Sequence, residues 1–162
     1  PYAQDNNITC ASASSQVIDT VQYLEREGIS IFGSSIQPKN SKIEAVVNAV
    51  WLDIEDEVPS KYYASDPSIN QAFLADIVAA LEGLGIEVGI YSTYTYWKNI
   101  LDNVEGYGCT HSLWYPRYDN TSSFDFFEPF ADWELSSLKV KQIAPDVGLC
   151  GVSQIDQNYA ET

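Results

Sequence analysis

The sequence predicts a single α/β domain organised around a parallel sheet, and three observations carry that expectation. Strand-like and helix-like segments alternate through the first half of the chain, the pattern of crossover units. Ile86–Tyr91 is an almost continuous apolar run, as expected of a strand covered on both faces. Finally, 162 residues with 45% apolar content are enough for one domain with one core. A barrel is one arrangement of such units.

The elements follow in order. Residues 13–27 read as a helix, with Val17, Val21 and Leu24 on one stripe and Gly28 as its stop. Ile29–Phe32 reads as a short strand. The Ser-, Gly-, Pro- and Asn-rich stretch 33–42 reads as a loop. Residues 43–49 form an apolar run of ambiguous type. Val50–Glu55 then alternates with period two, with Val50, Leu52 and Ile54 on one face. Asp66 is placed as an N-cap and Pro67 at the first helical position of the next helix. Its stripe is expected to be Ile69, Phe73, Ile77 and Leu81, widened by Leu74 and Val78. Gly83 and Gly85 close it. After the strand over 86–91 come a short helix over 94–101 and strands at 113–115, 140–144 and 152–155.

Charge narrows the function classes. Eight Lys and Arg against 23 Asp and Glu give a net charge of -15. Nucleic acid and anionic membrane surfaces both need cationic partners, so neither is expected. No run approaches the roughly 20 apolar residues of a spanning helix. Neutral partners fit better, and the 13% aromatic share suits uncharged sugars. The three cysteines, Cys10, Cys109 and Cys150, lack zinc-site spacing, and neither metal nor cofactor is expected. The sequons Asn7-Ile8-Thr9 and Asn120-Thr121-Ser122 lean, with the cysteines, towards a secreted or lysosomal or phagosomal protein.

The chemistry concentrates on Asp53 and Glu55. Two apart on a strand, they leave the same face, together with Trp51. Like charges held that close cannot both ionise easily, and a neighbouring indole removes water, so one carboxyl should keep its proton. One acid beside one carboxylate is what cleavage of a glycosidic bond requires. The run Asp53, Glu55, Asp56, Glu57 would ordinarily be solvated surface. Here, however, it follows an apolar strand core that a solvated loop would not need. Tyr91 and Trp114 lie at strand ends and could line a sugar cleft, with Tyr118 close by.

Trp51-Leu52-Asp53-Ile54-Glu55, Val88-Gly89-Ile90-Tyr91-Ser92 and Leu113-Trp114-Tyr115-Pro116-Arg117-Tyr118-Asp119-Asn120 resemble the family 25 glycoside hydrolases, the Chalaropsis-type lysozymes. The series continues through Trp133, Lys141-Gln142-Ile143 and Ile155-Asp156-Gln157-Asn158, with the flavour of nematode and amoeba members. The resemblance implies a modified TIM-like (β/α) barrel acting on bacterial peptidoglycan, between N-acetylmuramic acid and N-acetylglucosamine. It matches Glu55 to the proton donor and Asp53 to the assisting carboxylate. Asp156, Tyr91, Trp114 and Tyr118 are matched to substrate-lining positions. A non-catalytic glycan binder and a hydrolase of another N-acetylhexosamine polymer, such as chitin, stay open as alternatives. Family members begin with three strands, the first carrying a further active-site Asp. This chain is expected to start after them, at Pro1-Tyr2, leaving one barrel domain over 1–162 incomplete at its N-terminus. A full barrel of this kind needs roughly 200 residues or more. Residues 30–48 resemble an insertion, and a Cys109–Cys150 bridge with Cys10 left over is expected.

Overall fold

The computed structural model describes residues 11–36, 45–56 and 62–160. Pro1-Tyr2, Cys10 and the first sequon, as well as much of the expected insertion, lie outside those residues. The described elements run α1 (Ala13–Arg26), β1 (Ile29–Ile31), β2 (Ala45–Val47), β3 (Ala49–Asp53), α2 (Pro67–Gly83), β4 (Glu87–Tyr91), α3 (Tyr94–Leu101), β5 (Ser112–Pro116), β6 (Leu138–Leu149) and β7 (Val152–Ala160). The chain divides into two compact units, Pro1–Leu52 with Asp56–Val88, and Asp53–Glu55 with Gly89–Thr162. The main sheet has the order β3-β4-β5-β6-β7, and β1 pairs with β2 in a separate parallel ribbon.

In the first unit, α1 starts where the Ser12 hydroxyl accepts from the Ser15 amide at 3.2 Å. It buries Ala13, Val17, Val21 and Glu25, an i, i+4 column that packs on α2. Asp66 caps α2 by accepting from the Ser68 amide at 2.9 Å, with Pro67 first in the helix, as the sequence predicts. Leu74, Val78 and Leu81 are buried as predicted, but the face is shifted at its start. It consists of Asn70, Leu74, Val78 and Leu81, while Ile69 is 40% exposed. The offset has a local cause: the Asn70 side chain is turned inward to accept from the Ala64 amide and donate to its carbonyl, both at 2.9 Å. Gly33 and Gly85 meet face to face at φ +83° and +80°. A Cβ on either would fall within 2.5 Å of the other's carbonyl oxygen.

The second unit carries parallel β4, β5 and β6, followed by an antiparallel return into β7. Val88 to Tyr91 are all buried, as their apolar run predicts, although Val88 itself closes the first unit. α3 spans its predicted residues, capped by Thr93 accepting from the Tyr96 amide at 3.2 Å. Below it Trp97 and Trp133, both 0% exposed, cross edge to face with centroids 4.6 Å apart. Their indole nitrogens donate to Val104 O and His111 O at 2.9 and 3.0 Å. Gly108 lies against the Asp132–Trp133 backbone with no room for a side chain.

Two further expectations are corrected. The last strands are longer than predicted, twelve and nine residues, because they form a hairpin whose polar outer half shows no apolar pattern. Cys109 and Cys150 are both unbridged and exposed. Cys109 precedes β5, whereas Cys150 lies at the hairpin tip beyond β6. At about 3.3 Å per residue, twelve-residue β6 carries that tip far beyond the roughly 7 Å within which two cysteine Cα atoms can be bridged.

Candidate active site

β3 ends at Asp53, so Glu55 lies past the strand rather than on it. The alternation nevertheless continues. Ile54 donates its amide to Tyr91 O at 2.9 Å and accepts from the Ser92 hydroxyl at 2.8 Å. These bonds hold the Ile54 side chain inward, 8% exposed, and leave Asp53 and Glu55 together on the open side. Partial loss of water pushes the Asp53 carboxyl above its ordinary range. The same desolvation raises Glu55, and the charges of Asp53 and then Asp156 raise it further. Glu55 thus retains its proton to higher pH than a free glutamate.

Aromatic side chains surround this pair. Tyr91 closes β4 and its hydroxyl donates to Gln142 Oε1 at 2.6 Å. Ionisation of its phenol is pushed up by burial, then by the Glu55 charge and by its hydrogen bond with Tyr118. Trp114, beside Tyr91 in register on β5, meets it edge-on at 5.2 Å and 84° and donates to Asn158 Oδ1 at 2.9 Å. Tyr118 is 56% exposed and donates to the same Gln142 oxygen at 3.3 Å. Asp156 accepts from the Asp146 amide at 3.3 Å on the β6–β7 hairpin.

The second unit therefore brings the six sequence-predicted residues into one neighbourhood. Three residues with no predicted role join them: Gln142, Asn158 and Tyr96. Tyr96, in the first turn of α3, has its phenol raised by burial and then by Glu55. The signal for Gln142 and Asn158 was present only as membership of short motifs, because their partners lie 51 and 44 residues away.

Next to Gln142 on β6, Lys141 points the other way. Its ammonium holds both Asp119 oxygens at 2.8 and 2.9 Å, and the Thr121 and Ser123 carbonyls at 3.1 and 3.0 Å. This clamp fixes the loop carrying Tyr118 and the exposed sequon at Asn120. Among the described residues, no three His, Cys, Asp or Glu side chains are grouped to hold a metal ion. A groove of about 630 Å³, lined by Cys109, His111, Asp132 and Lys139, lies at the N-terminal ends of β5 and β6. The carboxyl pair lies at the C-terminal end of its strand, where active sites of α/β barrels gather.

Residues 34–143 match the family model described as lysozyme-like protein 1. The chain is similar to lysozyme-like protein 5 of Caenorhabditis elegans, 30% identical over 93% of this chain and 60% of that protein. It is similar to counting factor 45-1 of Dictyostelium discoideum, 31% identical over 90% and 54%. Against "Probable GH family 25 lysozyme 2" of the same organism, identity is 37% over 68% and 48%. The chain thus spans about half to three-fifths of the length of these relatives. Its fold is similar to that of the bacterial lysozyme from Streptomyces coelicolor, with a TM-score of 0.62 at 16% identity, over 94% of this chain and 62% of that one.

Proposed function

Because the chain belongs to the lysozyme-like proteins of glycoside hydrolase family 25, we propose that it is a muramidase. Its substrate is bacterial peptidoglycan, and the bond cleaved is the β-1,4 link from N-acetylmuramic acid to N-acetylglucosamine. The observation that carries this reading is Glu55, a partly desolvated carboxyl facing Asp53 and Asp156 with its proton held to raised pH. Glu55 donates that proton to the glycosidic oxygen as the bond to the sugar breaks. Asp53 stays anionic and supports the positive charge developing at the sugar, directly or through the substrate's own acetamido group. Trp114 and the exposed ring of Tyr118 offer faces to the pyranose, and Asp156 lines the far side. The net charge of -15 repels anionic cell walls at neutral pH, so protonation favours action in an acidic digestive compartment or secretion into one.

The test is release of reducing ends from bacterial peptidoglycan at acidic pH by this chain and by Glu55→Gln. Turnover that disappears in the variant is expected. A chain as inert as its variant, yet retained by the polymer, would replace this reading with a glycan-binding one. Similarity to counting factor 45-1, whose name is not that of a hydrolase, favours keeping that second reading in view. Chitin oligomers run in parallel separate the muramidase from a hydrolase of other N-acetylhexosamine polymers.

A further inference from the structure

Gln142 is 5% exposed, and nothing in the proposed chemistry requires a buried amide there. It stands on β6 opposite Asn158 of β7 and Pro116 of β5. Its side-chain oxygen accepts from Tyr91 at 2.6 Å and from Tyr118 at 3.3 Å, so two hydroxyls occupy both lone pairs of one carbonyl. Each phenol has a single proton, and at 2.6 Å that of Tyr91 is turned to the amide.

The direction matters because of what else faces Glu55. Asp53 approaches from the end of β3, Asp156 from β7, and the phenols of Tyr91 and Tyr96 from β4 and α3. The neighbouring cations on β6 and that loop, Lys141 and Arg117, are both engaged with Asp119. Among these groups only the phenols could stabilise an ionised Glu55, by donating to it. We infer that Gln142 is the positioning residue of this site: its carbonyl takes the hydroxyl proton of Tyr91, and so keeps that phenol from donating to the carboxyl pair. Gln142 does not touch the reacting atoms. It acts through Tyr91 to keep Glu55 an acid, and its catalytic meaning rests on the role proposed for Glu55 above.

The experiment follows the Glu55 carboxyl by ¹³C NMR titration of the full chain, alongside the pH profile of peptidoglycan turnover. In Gln142→Met, which keeps the volume and removes the acceptor, the Glu55 midpoint falls by about one pH unit as the freed Tyr91 phenol turns to it. Adding Tyr91→Phe to that variant restores most of the shift. Tyr91→Phe alone moves the midpoint by only a few tenths, since its proton was not on Glu55. In the pH profile, kcat loses its higher-pH limb in Gln142→Met while KM changes less. An unmoved or raised midpoint in Gln142→Met overturns the inference. If that variant does not fold, a midpoint that rises by a full unit in Tyr91→Phe overturns it, because the phenol was then donating to Glu55. A shifted midpoint in a chain inactive on peptidoglycan leaves Gln142 in place and removes the muramidase reading. Activity with an unmoved midpoint does the reverse.

Discussion

Two sets of carboxylates lie along the same sheet and are treated in opposite ways. Asp119 is paired with an ammonium that is 2% exposed, and hydrogen bonds from that lysine lower its pKa. Asp53 and Glu55 have lost water and are pushed up, Glu55 further by the charges of Asp53 and Asp156. The clamp shows what the fold does with a carboxylate used for structure: it surrounds it with donors. The pair shows carboxyls held against their own preference for water, the pattern expected of the acid proposed for Glu55.

The contrast is broken most sharply at Glu55. Glu55→Gln should lower turnover by about 10²–10⁴-fold, the usual contribution of a positioned general acid. The same variant should melt higher than the parent at neutral pH. A raised folded-state pKa contributes stability that is present below the unfolded pKa and is lost as pH rises through the folded one. The gain should therefore be seen at pH 7 and vanish near pH 4, read by thermal melts at both.

Lys141→Met tests the opposite member. It takes the ammonium from Asp119 and strands two carbonyls, which should cost about 1–3 kcal/mol in urea unfolding at pH 7. Because Asp119 is lowered, its contribution is present above the ordinary aspartate range and fades as pH falls through its folded value. The gap between parent and variant should narrow at strongly acidic pH to what the two carbonyls cost, the reverse of the Glu55 pattern. Smaller effects sharpen the comparison. Asn158→Ala removes the acceptor that fixes the Trp114 indole and should raise KM by roughly five-fold, the equivalent of one hydrogen bond of about 1 kcal/mol. Asp156→Asn removes the lesser of the two charges raising Glu55, so the higher-pH limb of turnover should move down by a few tenths of a unit.

Local signals made much of this legible. Asp66-Pro67 announced α2, the run before Tyr91 announced β4, and Asp53-x-Glu55 announced the carboxyl pair, because each depends on neighbours a few residues away. What escaped depends on distant partners. The inward Asn70 moved the stripe of α2, because its side chain serves the Ala64 backbone rather than water. Gln142 and Asn158 are unremarkable until Tyr91 and Trp114 reach them across the sheet. The β6–β7 hairpin is held by backbone pairing over residues too polar to advertise a strand.

Lys141 and Gln142 are adjacent and face opposite sides of β6, which gives that strand an unusually strict tolerance for length. A single residue inserted between Val140 and Lys141, where β6 pairs regularly with β5, would exchange the two faces. An ammonium would enter between Tyr91 and Tyr118 and stabilise ionised Glu55, while an amide would replace the cation holding the Asp119 loop. One slip would extinguish the acid and release the loop together. Beyond Gln142 the pairing with β7 shifts register at three places before the tip. Those irregularities can absorb gains and losses of residues, so the outer hairpin is free to vary in length while residues 140–142, paired regularly with β5, are not.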